Sequence, residues 1–134
     1  MRGRFSRRQV ISAGMYAYGV VTEAGAVCTW GRELPSCGPA LLGQGPSAHA
    51  TAVPQEVALP TGVRAVEVSC GEAHTLILDA TGCVFSFGLA NYAGDGGNGV
   101  LGHGDHDDRP TPALVRALAD APVRVVQVSA GGHH

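Results

Sequence analysis

This chain has no lysine, only 5% aromatic residues, and no apolar run reaching the roughly 18 residues that a membrane span needs. Its nine cationic side chains are all arginine, and the formal net charge is -2. No overall basic field exists to hold nucleic acid or an anionic membrane, so neither is expected as a partner. None of the four cysteines, Cys28, Cys37, Cys70 and Cys83, forms a C-x-x-C pair or has a histidine at zinc-finger spacing, which argues against a metal knuckle. The absence of lysine also removes a P-loop reading of Gly94-Asp95-Gly96-Gly97-Asn98-Gly99, which no helical pattern follows.

What the chain has in abundance is backbone punctuation. Its 20 glycines and 8 prolines are spaced as in a protein of short strands and many turns. The punctuation repeats. Val63-Arg64-Ala65-Val66-Glu67-Val68-Ser69-Cys70-Gly71 returns 60 residues later as Val123-Arg124-Val125-Val126-Gln127-Val128-Ser129-Ala130-Gly131, with six of nine positions identical. Ser12-Ala13-Gly14, Gly25 and Trp30-Gly31 stand 57 residues before Ser69-Cys70-Gly71, Gly82 and Phe87-Gly88. Leu42-Gly43-Gln44-Gly45 answers to Leu101-Gly102-His103-Gly104 at an offset of 59, and Pro54 and Val57 pair with Pro112 and Val115 at 58. One order of landmarks in both copies indicates a duplicated supersecondary unit, and such units build surfaces more often than reaction centres. The chain divides into a basic tail at 1–9, a first repeat at 10–65, a second at 66–125 and the start of a third at 126–134.

Within the second copy, residues 65–69 alternate, which predicts a strand with Val66 and Val68 on one face and Glu67 on the other. Gly71 ends it, either for a positive φ or for the close approach of another backbone. Thr75-Leu76-Ile77-Leu78 predicts the next strand, Asp79-Ala80-Thr81-Gly82 a hairpin turn with Gly82 left-handed, and Cys83-Val84-Phe85-Ser86-Phe87 the antiparallel return. A shorter fourth strand is expected around 113–115, and the spacing of Leu114, Val115 and Leu118 leaves open one helical turn between Pro112 and Asp120. Three or four short antiparallel strands per repeat describe a propeller blade, so the expected class is all-β with four-stranded antiparallel blades.

A period of 57 to 60 residues exceeds those of WD and kelch repeats. With Gly-x-x-His-Thr at 71–75, Phe87-Gly88, Leu-Gly-His-Gly-Asp at 101–105 and Trp30-Gly31, nearly the whole chain resembles the regulator of chromosome condensation repeat family. The resemblance implies blades of a seven-bladed propeller. It departs from the family where Leu41 precedes Leu42-Gly43 and Val100 precedes Leu101-Gly102, in place of the usual Gly-Gln-Leu-Gly, and in an insertion expected from Asp95 to Asn98. Ala17 also stands where the second copy has His74. Gly131-Gly132-His133-His134 opens a further Gly-x-x-His turn with His134 in register with His74, so a piece of a longer propeller is expected, with bare sheet faces and concentration-dependent folding in isolation. The positions assigned to the repeat framework are Gly14, Gly25, Trp30, Gly31, Gly71, His74, Gly82, Phe87, Gly88, Leu101, Gly102, Gly131 and His134.

Three other groups invite a chemical reading. His103, Asp105, His106, Asp107 and Asp108 supply donors suited to a cation, yet the repeat pattern includes this loop, and turn hydrogen bonds suffice for His103 and Asp105. His74 has no partnered nucleophile and is expected to tie strands together through buried backbone groups. Cys70 and Cys83 replace Ala13 and Ala26 of the first copy, which reads as reduced core thiols in a cytoplasmic or nuclear protein.

The N-terminus offers an alternative. Arg2, Arg4, Arg7 and Arg8 precede the apolar residues 10–21, Ser6-Arg7-Arg8 is similar to a twin-arginine leader, and Ala24-Gly25-Ala26 to its cleavage site, as in an exported propeller protein. The same segment aligns with the second copy, which a leader has no reason to do. The expected function is therefore a non-enzymatic interaction or scaffold module without catalytic, cofactor or metal residues. Rim loops at 32–53 and 89–111 would meet a protein partner. By resemblance, the alternative is guanine-nucleotide exchange on a small GTPase, which acts by wedging and needs no covalent chemistry.

Overall fold

The structure, a computed structural model, describes residues 9–32, 38–49, 51–91 and 99–134. Each of the two full repeats forms one antiparallel four-stranded sheet. The first contains β1 (Ile11–Ala13), β2 (Ala17–Val21), β3 (Val27–Gly31) and β4 (Thr51–Val57); the second contains β5 (Ala65–Cys70), β6 (His74–Asp79), β7 (Val84–Gly88) and β8 (Arg109–Leu114). Strand order within each sheet follows the sequence; short turns join the first three strands, and a long connection joins the third to the fourth. A 3-10 turn at Gly38–Leu42 and one helical turn, α1 (Arg116–Ala119), complete the elements. The two sheets do not close a ring among the described residues.

The β6–β7 turn forms as its composition predicts. The Asp79 carboxylate accepts the Thr81 and Cys83 N–H groups, each at 2.9 Å, and the Thr81 hydroxyl at 2.7 Å. Gly82 takes the left-handed position with φ 91°. The fourth strand of the second sheet begins at Arg109, well before the expected 113. It carries Pro110 and Pro112 because β8 is an edge strand, where a missing N–H costs no ladder bond on the open side.

The main core lies between the sheets. Val21, Val27 and Val57 of the first meet Ala65, Val68, Cys70, Ile77, Phe85 and Phe87 of the second. Val27, Val57, Val68, Ile77 and Phe87 are each at most 1% exposed, and burial of such side chains contributes about 1.5–3 kcal/mol apiece. A smaller cluster of Leu78, Val84 and Val115 lies on the far side of the second sheet, capped by Val128. Residues 123–131 repeat the β5 sequence but belong to no sheet. They run as an extended segment held by the Ala130 N–H on Ser69 Oγ at 2.9 Å and the Val125 N–H on the Gly82 carbonyl at 3.3 Å.

One expectation about β5 is corrected. Val66 and Val68 do not share a face: Val68 enters the inter-sheet core, whereas Val66 packs against the far-side cluster. A bulge between Ala65 and Glu67 breaks the alternation. Glu67 is 1% exposed, because β5 is covered on both sides and has no solvent face to offer it.

Packing between the sheets is matched in size. A Cβ on Gly19 would stand 2.9 Å from Val68 Cγ2 and 3.0 Å from Cys70 Sγ, so this glycine makes room for the thiol. In repeat register, the corresponding residues on the far side are Leu76 and Ala130, with the large and small partners exchanged. Gly19→Ala is expected to cost about 1–3 kcal/mol through overpacking. Adding Cys70→Ala should recover part of that loss, and urea unfolding of the two single variants and the double variant measures the coupling.

Candidate interaction surface

The polar side chains shared by the copies lock the blades. Ser12 Oγ accepts the Cys70 N–H at 2.9 Å, and Ser69 Oγ accepts the Ala130 N–H at the same distance. Arg64 donates to the carbonyls of Glu23 at 2.8 Å and Ala24 at 3.3 Å, and Arg124 donates to that of Ala80 at 3.0 Å. Beside them the Ala65 N–H meets the Gly25 carbonyl at 2.9 Å, as Val125 meets Gly82. A Cβ on Gly25 or Gly82 would collide with Cγ of Arg64 or Arg124. Each tie therefore occurs twice, once on either side of the second sheet.

The Gly-x-x-His turn occurs in all three copies as a backbone arrangement. The N–H groups of Gly14, Gly71 and Gly131 donate to the carbonyls of Ala17 at 2.8 Å, His74 at 2.8 Å and His134 at 2.7 Å. Gly71 does not have a positive φ; its requirement is close approach, since a Cβ there would lie 2.5 Å from the Gly131 carbonyl oxygen. Gly14 is pressed in the same way against the Gly71 carbonyl, and Gly31 and Gly88 against those of Tyr16 and Ala73.

His74 is buried, with its ring over Gly71, while His134 lies over Gly131 and is exposed. Burial pushes the His74 pKa below the ordinary 6.5, a hydrogen bond to the His134 backbone opposes this, and the nearby His134 and His133 side chains reinforce it. Its Nε2 is buried without a partner.

Hydroxyls on the third strands hold the long connections. Thr29 Oγ1 donates to the Leu42 carbonyl and Ser86 Oγ to the Leu101 carbonyl, both at 2.7 Å. Gln44 Nε2 reaches Thr29 Oγ1, and His103 Nε2 reaches Ser86 Oγ, both at 2.9 Å. With the Ser86 proton on Leu101, the His103 proton is assigned to Nε2. Leu101 is buried, Gly102 has φ 76°, and Phe87 is fully buried with its ring against Gly43. Trp30 stacks on Tyr18 with centroids 5.5 Å apart.

The acidic loop is likewise engaged. Asp105 accepts the Asp107 N–H at 3.1 Å and pairs with Arg109 at 2.7 Å, contacts that hold its carboxyl below the usual value, and Asp108 accepts the Ala90 N–H at 2.8 Å. Among the described residues, no group of three or more His, Cys, Asp or Glu is placed to hold a metal ion. Cys28, Cys70 and Cys83 are free, and burial pushes the Cys70 thiol up. Arg2, Arg4, Arg7, Arg8, Cys37 and the expected insertion at 95–98 lie outside the described residues; the apolar stretch that a leader would use forms β1 and β2. The serine, threonine and arginine ties were not singled out from the sequence, although Ser12, Ser69 and Ser129, and Arg64 and Arg124, recur in register.

The Regulator of chromosome condensation (RCC1) repeat matches residues 24–78 and 81–134. The chain belongs to this family. Each RCC1 match takes the last two strands of one blade and runs into the next, so the family's repeat is offset from the blade by two strands. Over 81 residues, 60% of the chain, it is 42% identical to the zebrafish (Danio rerio) E3 ubiquitin-protein ligase MYCBP2. Over 117 residues, 85% of the chain, it is 35% identical to the zebrafish serine/threonine-protein kinase Nek8. The chain spans 2% and 15% of those two proteins. The crystal structure of Prp20p from Saccharomyces cerevisiae, described with its binding to Gsp1p and histones, is similar with a TM-score of 0.64 and 23% identity, over 91% of this chain and 28% of that one; this likeness shows the fold.

Two outcomes follow from the geometry. Ser86→Ala should cost about 1–3 kcal/mol by leaving the buried Leu101 carbonyl unpaired, measurable by urea unfolding. Because the folded chain binds the His74 proton more weakly than the unfolded one, the stability from neutral His74 is present above the unfolded value of 6.5 and is lost as pH falls from there through the lowered folded value. Thermal melts from about pH 8 to about pH 5 should show the decline, and His74→Ala should reduce its slope.

Proposed function

We propose that this chain is a protein-interaction module, a non-enzymatic RCC1 scaffold that presents loops to a protein partner. One observation carries the reading. The polar side chains common to both copies, Ser12 and Ser69, Thr29 and Ser86, and Arg64 and Arg124, are all taken up by backbone groups of the blades. Copy-specific chemistry lies in the connections between the third and fourth strands. In the second of these, His106, Asp107 and Asp108 are exposed on a loop whose base is fixed by Ser86, His103 and Arg109. Exposed polar residues on a rigid scaffold suit recognition of another protein.

The relatives support the non-enzymatic part, because their ligase and kinase names belong to proteins of which this chain spans a small share. A cytoplasmic or nuclear location belongs to the same reading, supported by the free thiols. The second reading is nucleotide exchange on a small GTPase. It is favoured by the fold likeness to Prp20p, a protein described as binding Gsp1p.

A single experiment separates them. Crosslinked partners of the chain should be lost when His106→Ser and Asp107→Ser are combined, with melting unchanged, and GDP release from a small GTPase should be the same with and without the chain. Retention of the same partners by the double variant would sink the rim reading. Accelerated GDP release would establish exchange instead.

A further inference from the structure

The fourth strand of each sheet leaves its ladder at the same place. Thr29 pairs with Gln55 and Gly31 with Thr51, so Trp30 alone stands opposite Ala52, Val53 and Pro54. In the second sheet Ser86 pairs with Ala113 and Gly88 with Arg109, so Phe87 alone stands opposite Pro110, Thr111 and Pro112. Three residues against one arch away from the third strand, and a proline has no N–H to draw it back. Val53 is 58% exposed although the second sheet packs beside β4, so this exposure belongs to the outer edge of a blade whose neighbour is in place.

In repeat register Thr111 takes the place of Val53 and is likewise exposed, with half-buried Pro110 and Pro112 on either side. The copies differ here in chemistry. The first has Ala-Val-Pro where the second has Pro-Thr-Pro, and Thr111-Pro112 is the only Ser-Pro or Thr-Pro pair in the sequence. The Thr111 hydroxyl has no hydrogen-bond partner among the described residues. In the first copy, Thr51 Oγ1 donates to the Val53 carbonyl at 2.8 Å and accepts the Val53 N–H at 3.2 Å. Arg109 holds the place of Thr51 and bonds instead to Asp105 at 2.7 Å and to the Asp107 carbonyl at 2.9 Å, which leaves the strand around Thr111 unclaimed by it.

We propose that Thr111 is a phosphorylation site for a proline-directed protein kinase. A kinase cleft takes its substrate as an extended segment with a free acceptor hydroxyl, and proline after the acceptor suits a cleft that offers no partner to an N–H there. The arched edge supplies all three. In the transfer the Thr111 O–H bond breaks and its oxygen bonds to the γ-phosphorus of ATP. The bridging P–O bond to the β-phosphate breaks, ADP leaves, and the hydroxyl proton passes to the catalytic aspartate of the kinase.

The product carries a charge of about -2 two residues from Arg109. Such a group competes with Asp105 for the guanidinium and repels Asp105, Asp107 and Asp108, so the base of the loop loses the ion pair that fixes it. Phosphorylation thereby loosens the loop that the interaction-module reading gives to a partner. That consequence rests on the reading, whereas the site itself needs no partner.

The test incubates the 134-residue chain, its Thr111→Ala and Pro112→Ala variants, and a free peptide of residues 105–117 with ATP and a kinase of the mitogen-activated class. Tandem mass spectrometry locates the phosphate. The folded chain should take up one phosphate, on Thr111, at a rate within about tenfold of the peptide's, because no opening of the blade is needed. Thr111→Ala should take up none, with an unchanged circular-dichroism spectrum, and Pro112→Ala should lose at least about tenfold in rate. Amide exchange at residues 103–108 should become on the order of tenfold faster in the phosphorylated chain, with β5 and β6 unchanged. A peptide that takes up no phosphate, a folded chain labelled about a hundredfold more slowly than the peptide, or a Pro112→Ala chain labelled like the parent overturns the site. Unchanged loop exchange with Thr111 phosphorylated overturns the coupling to the Arg109 pair. None of these measurements uses a partner, so their failure is distinct from failure of the interaction module.

Discussion

The structure depends on blades approaching so closely at their inner strands that backbone lies directly on backbone. Gly14 against Gly71, and Gly71 against Gly131, admit no Cβ between them. That distance sets everything further out. It brings Ser12 and Ser69 within reach of the next inner strand, lets Arg64 and Arg124 close over the hairpin tips, and presses Phe87 onto Gly43. A methyl group at the inner glycine would wedge the sheets apart and loosen all of these contacts together.

The fold places little polar chemistry in reserve. Buried hydroxyls meet loop carbonyls, arginines meet turn carbonyls, and aspartates meet turn N–H groups, which is how an all-β repeat satisfies backbone that no strand pairs. Three atoms escape this rule among the described residues. His74 Nε2, Glu67 Oε2 and Thr75 Oγ1 are buried without partners, and His74 lies beside the third copy, where only residues 123–131 cover the second sheet.

Much of the architecture was legible because the sequence says it twice. Constant offsets between Gly25 and Gly82, or Trp30 and Phe87, marked equivalent turns and strands, and the Asp79 to Gly82 hairpin could be read down to its left-handed residue. The bulge at Val66 was not legible. Alternation assumes one covered face, and β5 has two, so apolar residues and even a carboxylate point to either side without penalty to the pattern. The start of β8 was hidden for a related reason, since prolines read as strand breakers unless the strand is known to be an edge.

By itself the sequence determined the repeat, its period, the four-stranded blade and the family, because local turn chemistry and periodicity are properties of neighbouring residues. Tertiary structure alone decided which reason holds for Gly71, which hydroxyls carry the loops, and that Gly19 and Cys70 are one fitted pair. Those facts depend on distances between residues 13 or more positions apart. No local pattern encodes such distances until the sheets are stacked.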